Sequence, residues 1–156
     1  MAAALALSGC GFKLRGALEF AFDSIHVNMP EQSGLGNELK RQLAANKGLR
    51  VIREPALVPT AQVILDSLVD QREKVVVGLT SSGQVREFQL RVRFKFRLRA
   101  KDGRELIPEA EILQERDISY SESNALAKEA EEQLLYRDMQ SDIVQQVLRR
   151  LAAVKL

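Results

Sequence analysis

The stretch Phe88-Gln89-Leu90-Arg91-Val92-Arg93-Phe94-Lys95-Phe96-Arg97-Leu98-Arg99 alternates without a break. Phe88, Leu90, Val92, Phe94, Phe96 and Leu98 form one row. Gln89, Arg91, Arg93, Lys95, Arg97 and Arg99 form the other. A strand repeats every two residues, so each row occupies one face of a sheet. The apolar row requires a covering layer. The cations require water, carboxylates or a partner.

The next segment tests those options. Lys101-Asp102-Gly103 reads as a three-residue hairpin loop with Gly103 left-handed, and Arg104 to about Tyr120 as the following strand. This register sets Arg99 opposite Glu105, Lys95 opposite Glu109 and Arg93 opposite Glu111, each pair contributing about 0.2–1 kcal/mol. Arg97 then faces Ile107 and Arg91 faces Leu113. A two-residue loop would put Glu109 and Glu111 opposite Phe96 and Phe94, burying carboxylates on the apolar face. Two readings of the basic row follow. It is a solvated, self-neutralising sheet face, or a partner surface using the surplus cations Arg91, Arg97 and nearby Arg86.

Working outward, Gln62 to Leu79 pairs with Gln84 to Ala100 across a Ser81-Ser82-Gly83 turn, after a loop marked by Pro55 and Pro59. Ser24 to Met29 alternates as a first strand, ended by Pro30. Leu35, Leu39 and Leu43 recur every four residues and predict a helix over 31–47, stopped by Gly48. Leu49 to Ile52 is a short second strand, which makes strand, helix and strand a parallel crossover. Leu135, Met139, Ile143, Val147 and Leu151 form an i+4 stripe flanked by Leu134, Val144 and Leu148. It predicts one helix over 123–154, about 45 Å long, with Ser123 as N-cap. The fold class is α+β, two helices packed on one face of a mixed β-sheet.

The composition excludes several chemistries. The 156 residues are 46% hydrophobic and 28% charged, and the net charge of +2 is too small to imply a nucleic-acid partner. No apolar run is long enough to span a membrane. Cys10 is the only cysteine and His26 the only histidine, so no internal disulfide forms and a zinc site is not expected. His26 falls with Asn28, opposite Ile25 and Val27, where solvent or a hydrogen bond to a neighbour is expected. Gly-x-Ser-x-Gly is absent and no partner for a Ser–His pair is evident, so no catalytic residue is assigned.

The opening Met1-Ala2-Ala3-Ala4-Leu5-Ala6-Leu7-Ser8-Gly9-Cys10 resembles the end of a bacterial secretory signal with a lipobox at its cleavage site. Residues 1–9 read as a signal-peptide remnant and 10–156 as one domain. The expected modification is a diacylglycerol on the Cys10 thiol and an acyl chain on its amine, with no other cofactor. Each buried methylene contributes about 0.8 kcal/mol, so two or three chains anchor firmly. Gly11 is not the Asp associated with inner-membrane retention, which favours the periplasmic side of the outer membrane.

Three segments carry a wider resemblance: Cys10-Gly11-Phe12-Lys13-Leu14-Arg15-Gly16; Gly83-Gln84-Val85-Arg86-Glu87-Phe88-Gln89-Leu90; and Asn124-Ala125-Leu126-Ala127-Lys128-Glu129, leading into a helix with Gln133 and Asp138-Met139. In order and spacing the chain resembles the LptE family of LPS-assembly lipoproteins. The resemblance implies two helices on a four-stranded mixed sheet. It implies a 1:1 complex with an LptD-like translocon β-barrel, seating in the barrel lumen, help in barrel assembly, and LPS binding during export to the cell surface. It places Lys128 at a family position for a basic residue, against the plainer reading of a solvated helix lysine. The candidate LPS contacts are therefore Lys128, Arg91, Arg97 and Arg86. Ser81 and Ser82 stand where some relatives carry a basic residue, so Lys74 or Arg86 would have to compensate. The competing reading is a stand-alone LPS- or lipid-binding lipoprotein.

Intact-mass analysis of membrane-extracted protein is expected to show a chain beginning at Cys10 and carrying two or three acyl groups. An unmodified Cys10 would remove the anchor reading.

Overall fold

The computed structural model describes residues 18–156. Cys10, the 1–9 segment and the Cys10–Gly16 motif lie outside the described residues. The elements are β1 (Ser24–Asn28), α1 (Gly34–Ala44), β2 (Arg50–Ile52), β3 (Val63–Leu79), β4 (Val85–Ala100), β5 (Glu105–Ser119) and α2 (Ala125–Ala152). Short 3-10 turns at Pro55–Thr60 and Glu122–Asn124 join them. The sheet order is β2-β1-β3-β4-β5. β1 is parallel to both β2 and β3, and β3, β4 and β5 form an antiparallel meander. The sheet thus has five strands rather than four; the fifth is the three-residue β2, the short second strand of the crossover.

β4 behaves as its period demands. Leu90, Val92, Phe94, Phe96 and Leu98 are buried, while the odd-numbered cations stay half-exposed. Both helices lie on the apolar side of the sheet, α2 against β4 and β5, and α1 against β2 and α2. Leu35, Leu39 and Leu43 of α1 are buried, as are Met139, Ile143, Val147 and Leu151 of α2. The Ser33 hydroxyl caps α1 by accepting from Gly36 N–H at 2.9 Å. Gly48, Gly83 and Gly103 all have positive φ. At Gly103 the expected loop forms, with Ala100 N–H donating to Arg104 C=O at 2.8 Å.

Several expectations need correction. Leu134 is 52% exposed and lies outside the buried stripe. α2 begins at Ala125 after a 3-10 turn, and Ser123 does not cap it; its hydroxyl pairs with that of Ser121 at 2.8 Å. The β4–β5 register agrees at Arg99↔Glu105 and then slips twice, between Arg99 and Leu98 and between Leu98 and Phe96. Pro108, which cannot donate to a ladder, sits opposite that slip. Beyond it Lys95 faces Glu111, Arg93 faces Leu113 and Arg91 faces Glu115. Ion pairing survives along the diagonal: Lys95 Nζ lies 3.2 Å from both Glu109 and Glu111, and Arg93 Nε 3.6 Å from Glu111.

On the same face, β3 supplies Asp66. Its carboxylate accepts from Asn28 Nδ2 at 2.9 Å, Arg97 Nε at 3.2 Å and Arg99 Nε at 2.8 Å. It joins β1, β3 and β4 at one point with its side chain only 10% exposed. Burial pushes the Asp66 carboxyl up, but the hydrogen bonds from Arg99, Asn28 and Arg97, with the charge of Arg99, outweigh it and hold the group below the usual carboxylate value. His26, next to it on this face, contacts Ile52 C=O through Nδ1 at 2.9 Å.

Asp66→Asn is expected to cost about 1–3 kcal/mol, the range for losing a charged hydrogen-bond partner. At this chain length that lowers Tm by about 2–4 °C per kcal/mol. Because the folded-state value lies below the unfolded one of about 3.9, the stabilisation is present above that pH and lost as pH falls through the depressed value. Urea unfolding of the wild type should therefore weaken below about pH 4, and the Asn variant should lack that component.

Candidate functional site: a lysine-bearing cleft at the hairpin end

The cleft arises from a bulge. β3 aims Val63, Leu65 and Ser67 at the helices, and the register shift between Ser67 and Val69 reverses its parity. Asp70, Arg72, Lys74 and Val76 then point to the helix side. Charged side chains under a helix need polar partners, and α2 supplies them every four residues with Lys128, Glu132, Tyr136 and Gln140, which therefore share one helix face. Lys74 Nζ lies 2.6 Å from Glu132. Arg72 Nη2 donates to Gln140 Oε1 at 2.6 Å and stands 5.4 Å over the Tyr136 ring. Gln140 Nε2 reaches Glu38 of α1 at 2.8 Å, so one polar row ties β3, α2 and α1 together. The Tyr136 hydroxyl donates to Glu73 C=O at 2.8 Å. Burial raises its pKa, the Glu132 charge adds to this, and Arg72 opposes it, which keeps the phenol neutral at physiological pH.

Towards the β3–β4 turn this row opens into a cleft of about 300 Å³ lined by Lys74, Phe88, Ile118, Tyr120, Lys128 and Glu132, among others. Its floor is aromatic. The Phe88 and Tyr120 rings meet edge to face at 5.4 Å, and Lys74 Nζ sits 4.3 Å from the Phe88 centroid. Lys128 Nζ closes the far wall, 3.0 Å from Ser119 Oγ and 2.8 Å from Glu131. Two ammonium groups over an aromatic floor can bind an anion that carries an apolar portion. Each ammonium group is held by a carboxylate, Lys74 by Glu132 and Lys128 by Glu131, and Glu129 also lines the cleft, so an anion binds by displacing these pairs.

The sequence-predicted site residues divide between two faces. Lys128 is in the cleft. Arg86 is exposed on β4 beside the cleft and outside its lining, its C=O accepting from Tyr120 N–H at 2.8 Å, and it has no ion pair among the described residues. Arg91 and Arg97 lie on the opposite face of the sheet and are not surplus: Arg91 Nε is 2.9 Å from Glu115 and Arg97 Nε 3.2 Å from Asp66. Sequence reasoning named Lys74 only as a substitute and missed Phe88, Tyr120 and Glu132 as site residues. The i+4 spacing of Lys128, Glu132, Tyr136 and Gln140 was the available signal.

A family profile described as "LptE: Lipopolysaccharide-assembly" matches residues 22–151. A comparison with curated proteins gives no match. Among solved structures, the chain is similar to an uncharacterized lipoprotein B from Nitrosomonas europaea, at 35% identity and TM-score 0.76 over 92% of this chain and 91% of that one. It shares its fold with the rare lipoprotein B from Shewanella oneidensis (20% identity, TM-score 0.67, 83% of this chain and 94% of that one). A minor lipoprotein from Acinetobacter baumannii is similar to the same degree (19% identity, TM-score 0.67, 86% and 94%).

Gln140→Ala leaves both Arg72 and Glu38 short of a partner and is expected to cost about 1–3 kcal/mol. The exposed Gln133→Ala, about two helical turns away, should stay within about 0.5 kcal/mol. Chemical denaturation of the two variants checks the difference.

Proposed function

Because the chain belongs to the LptE lipopolysaccharide-assembly family, we propose that it is a non-catalytic lipoprotein of the outer membrane that seats in an LPS translocon β-barrel. In this reading Cys10 carries the lipid anchor on the periplasmic side. The domain forms a 1:1 complex with an LptD-like barrel, aids its assembly, and contacts LPS in transit. The observation that carries the LPS contact is the cleft, with Lys74 and Lys128 over Phe88 and Tyr120. Phosphates of a glycolipid suit the ammonium groups, and the aromatic floor suits adjoining acyl chains. Arg86 beside the cleft adds a cation with no carboxylate of its own among the described residues. Arg91 and Arg97 serve the ladder and not the ligand, since they lie on the sheet face opposite the cleft.

The double variant Lys74→Ala/Lys128→Ala is expected to weaken LPS binding at least tenfold (about 1.4 kcal/mol), while Arg91→Ala should leave it within about threefold. The barrel role is read from gentle detergent extraction: the chain should co-purify with one large β-barrel protein in equimolar amount. A free monomer that still binds LPS would instead support a stand-alone lipid-binding lipoprotein.

A further inference from the structure

β5 ends the sheet, so one long side of it has no strand neighbour among the described residues. The opposite edge, β2, is three residues long and offers little to pair with. β5 has fifteen residues, and its two halves differ. Glu105–Ala110 carries Pro108 and lies opposite both register shifts, devices that blunt an edge. From Ala110 to Ser119 the ladder to β4 runs without a shift, from Phe96↔Ala110 to Glu87↔Ser119, and has no proline. Tyr120 N–H bonds to Arg86 C=O. Alternation along an antiparallel strand then aims the N–H and C=O of Glu111, Leu113, Glu115, Asp117 and Ser119 away from β4; of these, the Glu115 C=O accepts from Arg116 Nη1 at 2.8 Å, a side-chain bond that an added strand would replace.

We infer that Glu111–Ser119 is a docking edge that takes up an extended basic segment of a partner protein by strand addition. Charge selects this occupant. Glu111, Glu115 and Asp117 line one face, with Leu113 between the first two; on the inner side Arg93 and Lys95 meet Glu111, Arg91 meets Glu115, and the neutral Gln89 meets Asp117. The Glu111 and Glu115 side chains remain 39% and 43% exposed. A second copy of the chain is disfavoured. Antiparallel pairing of two such edges sets Glu111 against Asp117, Glu111 against Glu115, or Glu115 against itself in the three central registers, and like charges directly opposite destabilise. A strand with Lys or Arg at alternate positions would repeat on the outer side of β5 the ladder that β4 forms on the inner side, where Arg93 lies opposite Leu113. Main-chain bonds would supply affinity and the alternate side chains specificity.

The test is an NMR titration of the full 15N-labelled chain in detergent. One probe is a peptide of the β4 sequence Arg91–Arg99; the other is the same peptide with its five cations replaced by Glu. The basic peptide alone is expected to shift, and to slow hydrogen exchange at, amides within Glu111–Ser119. Leu113→Pro removes an outward N–H without touching a β4 bond and should weaken binding at least tenfold. The pair Glu111→Lys/Glu115→Lys should reverse the preference to the acidic peptide, whereas Gln71→Lys, on the same face in β3, should change affinity less than twofold. Equal response to both peptides, shifts elsewhere in the sheet only, self-association through β5, or amides already protected in the dilute free chain would each overturn the inference.

Discussion

Side chains along a strand alternate between two faces, and in β4 no residue between Leu90 and Arg99 breaks the alternation. Every other feature of the domain answers one side or the other of that strand. The apolar row needs a roof over two phenylalanines stacked at 5.5 Å, and α2 packs against β4 to supply it. The cationic row needs negative charge within reach, and β5 and β3 bring it from both sides. Asp66 is the tightest of these answers, since one buried carboxylate meets Arg97, Arg99 and Asn28 together.

The bulges reconcile this alternation with the neighbouring strands. Those opposite Pro108 move the β5 carboxylates along the cationic row without changing faces. The one in β3 does change faces. It brings Arg72 and Lys74 beneath α2, where a polar row at helical spacing receives them. Two of the four strand ladders are thus in register only over part of their length, and the irregular parts create both the cleft and the blunted half of the β5 edge.

Features that depend on one segment were legible in the amino-acid sequence. The rows of β4, the Leu35–Leu39–Leu43 stripe, the core positions of α2 and the glycine turns at Gly83 and Gly103 are each set by local period or local φ. What escaped was set by pairs of segments. Whether Arg91 meets Leu113 or Glu115 depends on a slip opposite Pro108, and nothing in either strand alone encodes its size. Whether Lys74 faces solvent or Glu132 depends on a bulge seven residues away. Leu134 continues an apolar pattern, yet the helix axis turns it away from the sheet. The cleft was half legible for the same reason: Lys128 stood out by resemblance, while its aromatic floor needed the strand order.

β1 has a mechanical consequence. Among the described residues it is the first element, and it lies inside the sheet with parallel neighbours on both sides. A pull entering from the N-terminal end along β1 loads its bonds to β2 and β3 in shear, over seven register pairs at once. An edge strand under the same pull would peel one bond at a time. A domain held through its N-terminus is thus gripped where its sheet best resists being drawn apart.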